Sequence, residues 1–516
     1  MTRAHHSSGE KSDAIRVAVF EHVHRMVPEG LDCELTLDTS LYDVGLDSLT
    51  RMNVLNSLEE TFGLRFSEQS LYDMETCRDL VEYIGVHTGQ APVARPAAAP
   101  APESPPKASS PREIGPEQCD PALFPECLAL GQRLSGASAL GLDNPFFRTK
   151  EQVRGAKATV AGREVVSYTS FDYLGLGGHP QVIAAAKKAI DTWGTSASAS
   201  RLVGGNHSAV ERLDEALARF LGVEAAVVIP SGYGTNASVF GHLFGPEDLI
   251  LYDDLAHNSI VQGSLLSKAQ RRSFPHNDIG FLDRLLRDVR DDFRRVVVAV
   301  EGVYSMDGDY PDLPQLLDVK RRHQAILYVD EAHSLGVLGA TGRGICEHFG
   351  VNPGDGDLWM GTISKSLASG GGYLAGRRAV VQYLKYTLPA SVFATGISPA
   401  NAAAALAALE VLEQEPQRVA RLRQRSQLFL QLAREAGLNS GDSRDTAVVP
   451  VILGNSVQCI RVSAELLRKG FDAQPILYPA VPESKSRIRF FITAEHTEEQ
   501  IRHTVQALTE CLAAGE

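Results

Sequence analysis

Between Gln90 and Pro111 the chain reads QAPVARPAAAPAPESPPKASSP, and no other stretch restricts its architecture as much. Closely spaced prolines remove backbone donors and favour extended, polyproline-like conformations over packed helix. Alanine, serine and proline also offer too little apolar surface to offset the entropy of ordering the chain. The segment reads as a tether over residues 89–120. A chain of 516 residues divided in this way predicts two separate bodies, a small one over 10–88 and a large one over 121–516.

The small part is helical in pattern. AIRVAVFEHVHRMV spaces its apolar residues as a helix does, SLTRMNVLNSLEETFG does so again, and a later apolar helix covers Cys77–Ile84. Between the first two lies Asp43-Val44-Gly45-Leu46-Asp47-Ser48-Leu49. Gly45 can supply the turn, and Asp47 or Ser48 can cap the next helix, leaving a hydroxyl at its exposed start. On these residues alone Ser48 is either a plain cap or a modification site.

In the large part, short apolar runs alternate with helical stretches: AAVVIP, RRVVVAVEG, AILYVDEAH and DLWMGT each end at a polar or glycine-rich turn. Such alternation predicts an α/β domain with a mostly parallel sheet and ligand sites at the strand ends. The chemistry-bearing residues fall there. Lys365, flanked by Ser364 and Ser366 and followed by the small residues Ala368–Gly372, is either a surface lysine or an amine able to form a Schiff base. Asp330 closes AILYVDEAH and His333 follows it; they are either a capping Asp and a surface His, or a carboxylate that pairs with a protonated pyridine nitrogen and an imidazole that hydrogen-bonds the ring oxygen. Gly232 and Tyr233, in SGYGTN, lie where a helix start can offer N–H groups to a phosphate. His257, in DDLAHNS, is either a structural histidine or an aromatic ring free to stack on a flat cofactor.

Composition excludes several other classes. A formal net charge of -13 argues against general attachment to nucleic acid or anionic membrane. The seven cysteines have no tight pair spacing, so neither a metal site nor a disulfide framework is expected, and a reducing cytoplasm fits. The start MTRAHHSSGEKSD lacks a secretory apolar stretch. No run of about 18 apolar residues could span a bilayer.

The small part, with its Asp-x-Gly-x-Asp-Ser-Leu string and flanking helices, resembles acyl and peptidyl carrier proteins. That resemblance implies an all-α four-helix domain in which Ser48 carries 4'-phosphopantetheine. From about Ser167 onward the strings SFDYLGL, SASRLVGGNHSAVERLDEALARFLG, SGYGTN, DDLAHNS, FPHND, EGVYSMDGD, VDEAHSLGVLG, MGTISKS and SRIRFFITAEHT resemble the α-oxoamine synthases. These are pyridoxal 5'-phosphate enzymes of fold type I, with a large, mostly parallel mixed sheet and a smaller α/β domain. The resemblance implies that Lys365 forms the Schiff base, Asp330 pairs with the ring nitrogen, His333 contacts the ring oxygen and His257 stacks on the ring. It further implies that Gly232, Tyr233, Ser305 and Thr362 line the phosphate and ring, that Thr395 reaches the phosphate of the neighbouring subunit, and that Arg489 holds the amino-acid carboxylate.

The implied reaction condenses glycine, alanine or serine with an acyl thioester on the fused carrier. Carbon dioxide is lost and an α-aminoketone forms, in natural-product biosynthesis. A homodimer is implied, together with a phosphopantetheinyl transferase and an acyl-loading enzyme as partners. Two alternatives stand beside this one: another fold-type I reaction, transamination or aldol cleavage, on a tethered substrate, and a carrier and docking protein without catalysis. The chain also departs from the family. Phe171 stands where many members have asparagine, and Leu477-Tyr478-Pro479-Ala480 replaces the usual Arg-Pro-Pro-Thr.

Overall fold

The computed structural model describes residues 6–26, 35–37, 39, 41, 54, 55, 57, 58, 61, 62, 64, 74, 76–87, 114–139, 141, 143–478 and 480–513. Ser48 and the tether as far as Glu113 lie outside the described residues. The chain divides into two compact units between Ile114 and Gly115.

In the first unit the helix His6–Met26 turns Ile15, Val19 and Val23 to one side, the i, i+4, i+8 stripe of an amphipathic helix. These residues share a core with Val54, Leu55 and Leu58 and with Leu80, Val81 and Ile84 of the helix Cys77–His87. All nine are buried, at about 1.5–3 kcal/mol for each large aliphatic side chain.

The second unit contains fourteen strands among its described residues: β1 Lys150–Arg154, β2 Lys157–Val160, β3 Arg163–Ser167, β4 Ala225–Ile229, β5 Asp248–Asp253, β6 Gln270–Phe274, β7 Arg295–Glu301, β8 Ile326–Asp330, β9 Leu358–Thr362, β10 Gly372–Gly376, β11 Val448–Ile452, β12 Phe471–Asp472, β13 Gln474–Ile476 and β14 Arg487–Phe491. The large sheet has the order β4-β10-β9-β8-β7-β5-β6. Only β10 runs against the others, paired antiparallel with both β4 and β9. The mixed, mostly parallel sheet matches the expectation.

Both faces of this sheet are covered. Val296, Val298 and Val300 enter one apolar core, while Val297 and Ala299 enter the other. A strand buried on both faces has no polar alternation, which is why these runs read as continuously apolar. The parallel strands all finish at one edge. There Asp253 closes β5, Glu301 closes β7, Asp330 closes β8 and Thr362 closes β9, while the antiparallel β10 enters at Gly372. Two smaller sheets, β1-β2-β3-β12 and β11-β14-β13, complete the unit, and the central strand β14 of the latter carries Arg487 and Arg489.

Candidate active site

Glu301 and Asp330 are register partners on neighbouring strands, so their side chains share one face of the sheet edge. Both are buried. Asp330 Oδ1 accepts the Ala332 N–H at 2.9 Å, and Oδ2 accepts from Asn236 Nδ2 at 2.7 Å. Burial and the Asp330 anion push Glu301 well above the usual carboxylate range, against the pull of Lys365. Its buried Oε1 has no hydrogen-bond partner among the described residues.

Asn236 ties this pair to His257. Its second amide hydrogen reaches Ser259 Oγ at 2.8 Å, and its Oδ1 accepts from the Tyr328 hydroxyl at 2.7 Å. Ser259 Oγ lies 2.7 Å from His257 Nδ1, which also accepts the Ser259 N–H at 3.2 Å. With Nδ1 an acceptor, the imidazole proton sits on Nε2. Burial, together with Lys365 and Arg489, lowers the His257 pKa against the attraction of Asp330. The ring is neutral and its edge meets Tyr233 at 6.2 Å.

Lys365 follows β9 in a tight turn: Thr362 Oγ1 donates to Gly371 O at 2.7 Å and accepts the Ser364 N–H at 3.2 Å. Burial lowers the Lys365 amine to about 8, against the pull of Asp330 and Glu301, with Arg489 lowering it further. A lysine in this state has a usable fraction of free base near neutrality. Its Nζ lies 5.5 Å from the centre of the Phe171 ring. Phe171 in turn meets Phe491 at 4.7 Å, and Arg489 Cζ stands 4.4 Å from the Phe491 ring. Two phenyl rings thus span the gap between the two cations, where the resemblance would have put an amide.

His333 is fully buried and far below its ordinary pKa, chiefly through burial and then through Lys365 and Arg489. Its Nδ1 lies 2.7 Å from the Tyr173 hydroxyl, which holds the ring in place. Arg489 NH1 donates to Ser305 O at 2.9 Å, and its Nε is buried without a partner.

The fit to a flat phosphorylated cofactor rests on these contacts. Gly232 begins the helix Gly232–Leu243, whose first N–H groups lack intrahelical partners. A Cβ at Gly232 would stand 3.0 Å from Thr362 Oγ1, and one at Gly372 would stand 2.7 Å from the Gly232 Cα. Side chains there would fill the cradle that backbone N–H groups need for close approach to a phosphate. A buried anion, a depressed amine and an N–H cradle at one sheet edge suit pyridoxal phosphate.

Of the residues expected from sequence, the structure gathers Gly232, Tyr233, His257, Ser305, Asp330, His333, Thr362, Lys365 and Arg489 at this edge. Thr395 is exposed on the segment before the helix Pro399–Gln414 and makes no hydrogen bond to that group. Asn236, Glu301 and Tyr173 were missed. Each lies inside a string already singled out, but its importance comes from partners on other strands.

Residues 163–508 match the family Aminotransferase class I and II, and residues 26–84 match Phosphopantetheine attachment site. The chain is 37% identical over 381 residues to the 8-amino-7-oxononanoate synthase of Symbiobacterium thermophilum, covering 74% of this chain and 96% of that protein. To the same enzyme of Fervidobacterium nodosum it is 40% identical over 358 residues, 69% of this chain and 90% of that protein. The chain belongs to the α-oxoamine synthases. Among solved structures, the serine palmitoyltransferase of Sphingomonas wittichii superposes with a TM-score of 0.73 at 29% identity, covering 76% of this chain and 98% of that one. As an α-oxoamine synthase the protein is an acyltransferase that uses pyridoxal phosphate, and its attachment-site domain takes 4'-phosphopantetheine. Among the described residues no helix is long and apolar enough to cross a membrane.

Proposed function

We propose that this α-oxoamine synthase joins glycine, alanine or serine to an acyl group carried as a thioester on Ser48. The observation behind this reading is Lys365, placed just beyond β9 at the sheet edge that also carries Asp330, with its amine lowered to about 8 chiefly by burial. Pyridoxal phosphate, when bound, supplies an electron-poor ring that takes up the charge left as a Cα bond breaks.

The remaining work falls to side chains. Asp330, buried and fixed by two hydrogen bonds, would hold the cofactor through its pyridine nitrogen, where a carboxylate favours the protonated form. Lys365 accepts the Cα proton as general base. Arg489 holds the substrate carboxylate with a guanidinium already oriented by Ser305 O. His257 would stack on the cofactor ring, and with the Tyr173 hydroxyl donating to His333 Nδ1 the His333 Nε2 proton would be free for the ring oxygen. The Cα–H bond breaks with its proton passing to Lys365, and Cα bonds to the acyl carbon as the C–S bond breaks. The sulfur stays on the carrier arm as a thiolate that takes a proton from solvent, and the carboxylate leaves as carbon dioxide while Lys365 returns its proton to Cα.

In this reading the protein works in the cytoplasm as a homodimer, in natural-product biosynthesis, and the exposed Thr395 of one subunit serves the phosphate of the other. A phosphopantetheinyl transferase primes Ser48 and an acyl-loading enzyme charges it. The test is acyl-dependent release of carbon dioxide from the loaded full-length chain. Lys365→Ala should lower it by about a thousandfold or more, and Ser48→Ala should abolish turnover of carrier-borne acyl groups. Amino-acid turnover that needs no acyl donor and releases no carbon dioxide would replace this reading with transamination.

A further inference from the structure

The loop Tyr304–Asp309, between β7 and the helix Leu313–His323, is gripped from two sides. From β14, Arg489 NH1 donates to Ser305 O at 2.9 Å, while Arg487 NH1 donates to Met306 O at 2.9 Å and to Asp307 Oδ1 at 2.7 Å. From the large sheet the grip comes from His276, two residues beyond β6 in the FPHND string. His276 Nε2 donates to Asp309 Oδ2 at 2.8 Å, and Nδ1 donates to Asp253 Oδ1 at 2.8 Å. Asn277 supports both carboxylates, with its Nδ2 on Asp309 Oδ2 at 2.8 Å and its N–H on Asp253 Oδ2 at 2.9 Å.

An imidazole with a carboxylate on each nitrogen must carry both protons, because the neutral ring has one donor only. Asp253 and Asp309 are buried at 1% and 3% exposure, so neither charge is relieved by water. The imidazole and the Tyr304 ring meet edge to face at 4.5 Å and 90°, Asp254 interacts with the cation, and Asp278, Asp312 and Arg444 line the same cavity. Burial works against the cation, but the two carboxylates overcome it and hold the imidazole up at about 10.

We propose that His276 is a positioning residue for the amino acid: its imidazolium anchors, through Asp309, the loop whose Ser305 carbonyl aims Arg489 at the substrate carboxylate. The inference rests on the reading of Arg489 as that clamp. A contact made equally in the ground and transition states changes KM rather than kcat when it is loosened. His276 should therefore act on the amino-acid KM although it touches no substrate.

The experiment measures KM for the amino acid and kcat at saturating acyl donor in the full-length loaded enzyme, for Arg489→Lys, His276→Gln, Asp309→Ala and the double variant His276→Gln/Asp309→Ala. Melting temperatures are recorded alongside. We expect Arg489→Lys to raise KM, and His276→Gln and Asp309→Ala each to raise it about tenfold, with kcat changed by less than about threefold. The double variant should be no worse than either single one, because both break the same link. Asp309→Ala leaves a neutral His276–Asp253 pair, so it carries the test should His276→Gln, with two uncompensated buried carboxylates, not fold. If Arg489→Lys raises KM while the folded loop variants lower only the melting temperature, His276 is a fold element and the inference is wrong. If Arg489→Lys leaves KM unchanged, the clamp reading fails and the inference falls with it.

Discussion

The Asn236 amide has two protons, and both are used: one holds Asp330, the other holds Ser259 and through it His257. A single side chain thereby fixes both the Asp330 carboxylate and the His257 imidazole. Replacing it leaves a buried carboxylate oxygen short of a donor, at about 1–3 kcal/mol. Asn236→Ala should therefore weaken pyridoxal phosphate binding by about tenfold or more, read by cofactor titration of the apoenzyme. A dissociation constant within twofold of wild type would exclude this network from cofactor binding. A second prediction concerns stability. His496 is buried, stacks on Tyr168 at 4.3 Å, accepts the Thr493 N–H on Nδ1, and is held down at about 4 by burial. Unfolded, the same group titrates near pH 6.5, so between the two values the unfolded chain takes up a proton that the folded chain refuses. Its contribution is complete above about pH 6.5 and is lost as the pH falls towards 4, by up to about 3 kcal/mol. His496→Gln should lower the melting temperature at pH 7 yet flatten its decline between pH 6.5 and 4; an unaltered slope would reject this assignment. Lys365, Asp330, His333 and His257 could be singled out in the sequence because each sits in a contiguous string at or just beyond a strand end, whereas Arg489, in the middle of β14, was named only through the family resemblance. Asn236 and Glu301 were not legible, since what makes them important is a partner on another strand, 94 residues away in the case of Asn236 and Asp330.

At the scale of elements, β10 was the strand hardest to foresee. Of its residues Gly372–Gly376 only Tyr373 is aromatic and none is β-branched, and Gly370 and Gly371 lead into it. In the folded chain Gly372 pairs with Ile229 on one side and Thr362 on the other, and lies against the start of the helix Gly232–Leu243. The glycine is there because a Cβ would meet the Gly232 Cα at 2.7 Å and the Thr235 Oγ1 at 2.8 Å. The requirement is tertiary, so no local pattern announces it. Gly372→Ala must push the helix start away from β10, and backbone displacement of this kind costs about 1–3 kcal/mol. We expect a lower melting temperature together with weaker cofactor binding, because the displaced helix start forms the phosphate cradle. Binding unchanged in a destabilised variant would separate the cradle from this contact. The strands β4, β7, β8 and β9, by contrast, were read correctly from apolar runs, and burial on both faces accounts for those runs.

At the scale of the whole molecule, the proline-rich tether told more than any single motif, because it divided the chain before any chemistry was assigned. The chain divides between Ile114 and Gly115, and each unit has its own apolar core. The Phe171–Phe491 pair shows where sequence reading stopped: the loss of an amide at position 171 was visible, but not that a second ring from β14 would complete an apolar bridge between Lys365 and Arg489. If the carrier serves its own enzyme, the acyl donor is present at an effective concentration set by the tether, about the millimolar range for a short flexible one. The single-turnover rate of the loaded chain should then be independent of protein concentration across the micromolar range. It should also resist competition from added unattached carrier, since the free species would have to approach millimolar levels to compete. Exchange between chains remains possible within a homodimer. Mixing loaded Lys365→Ala chains with unloaded Ser48→Ala chains separates the two routes: product from re-formed mixed dimers means delivery across the subunits, and its absence means delivery within one. A rate that rises in proportion to protein concentration would instead make the tether a passive connection, and the fused carrier one that serves other enzymes.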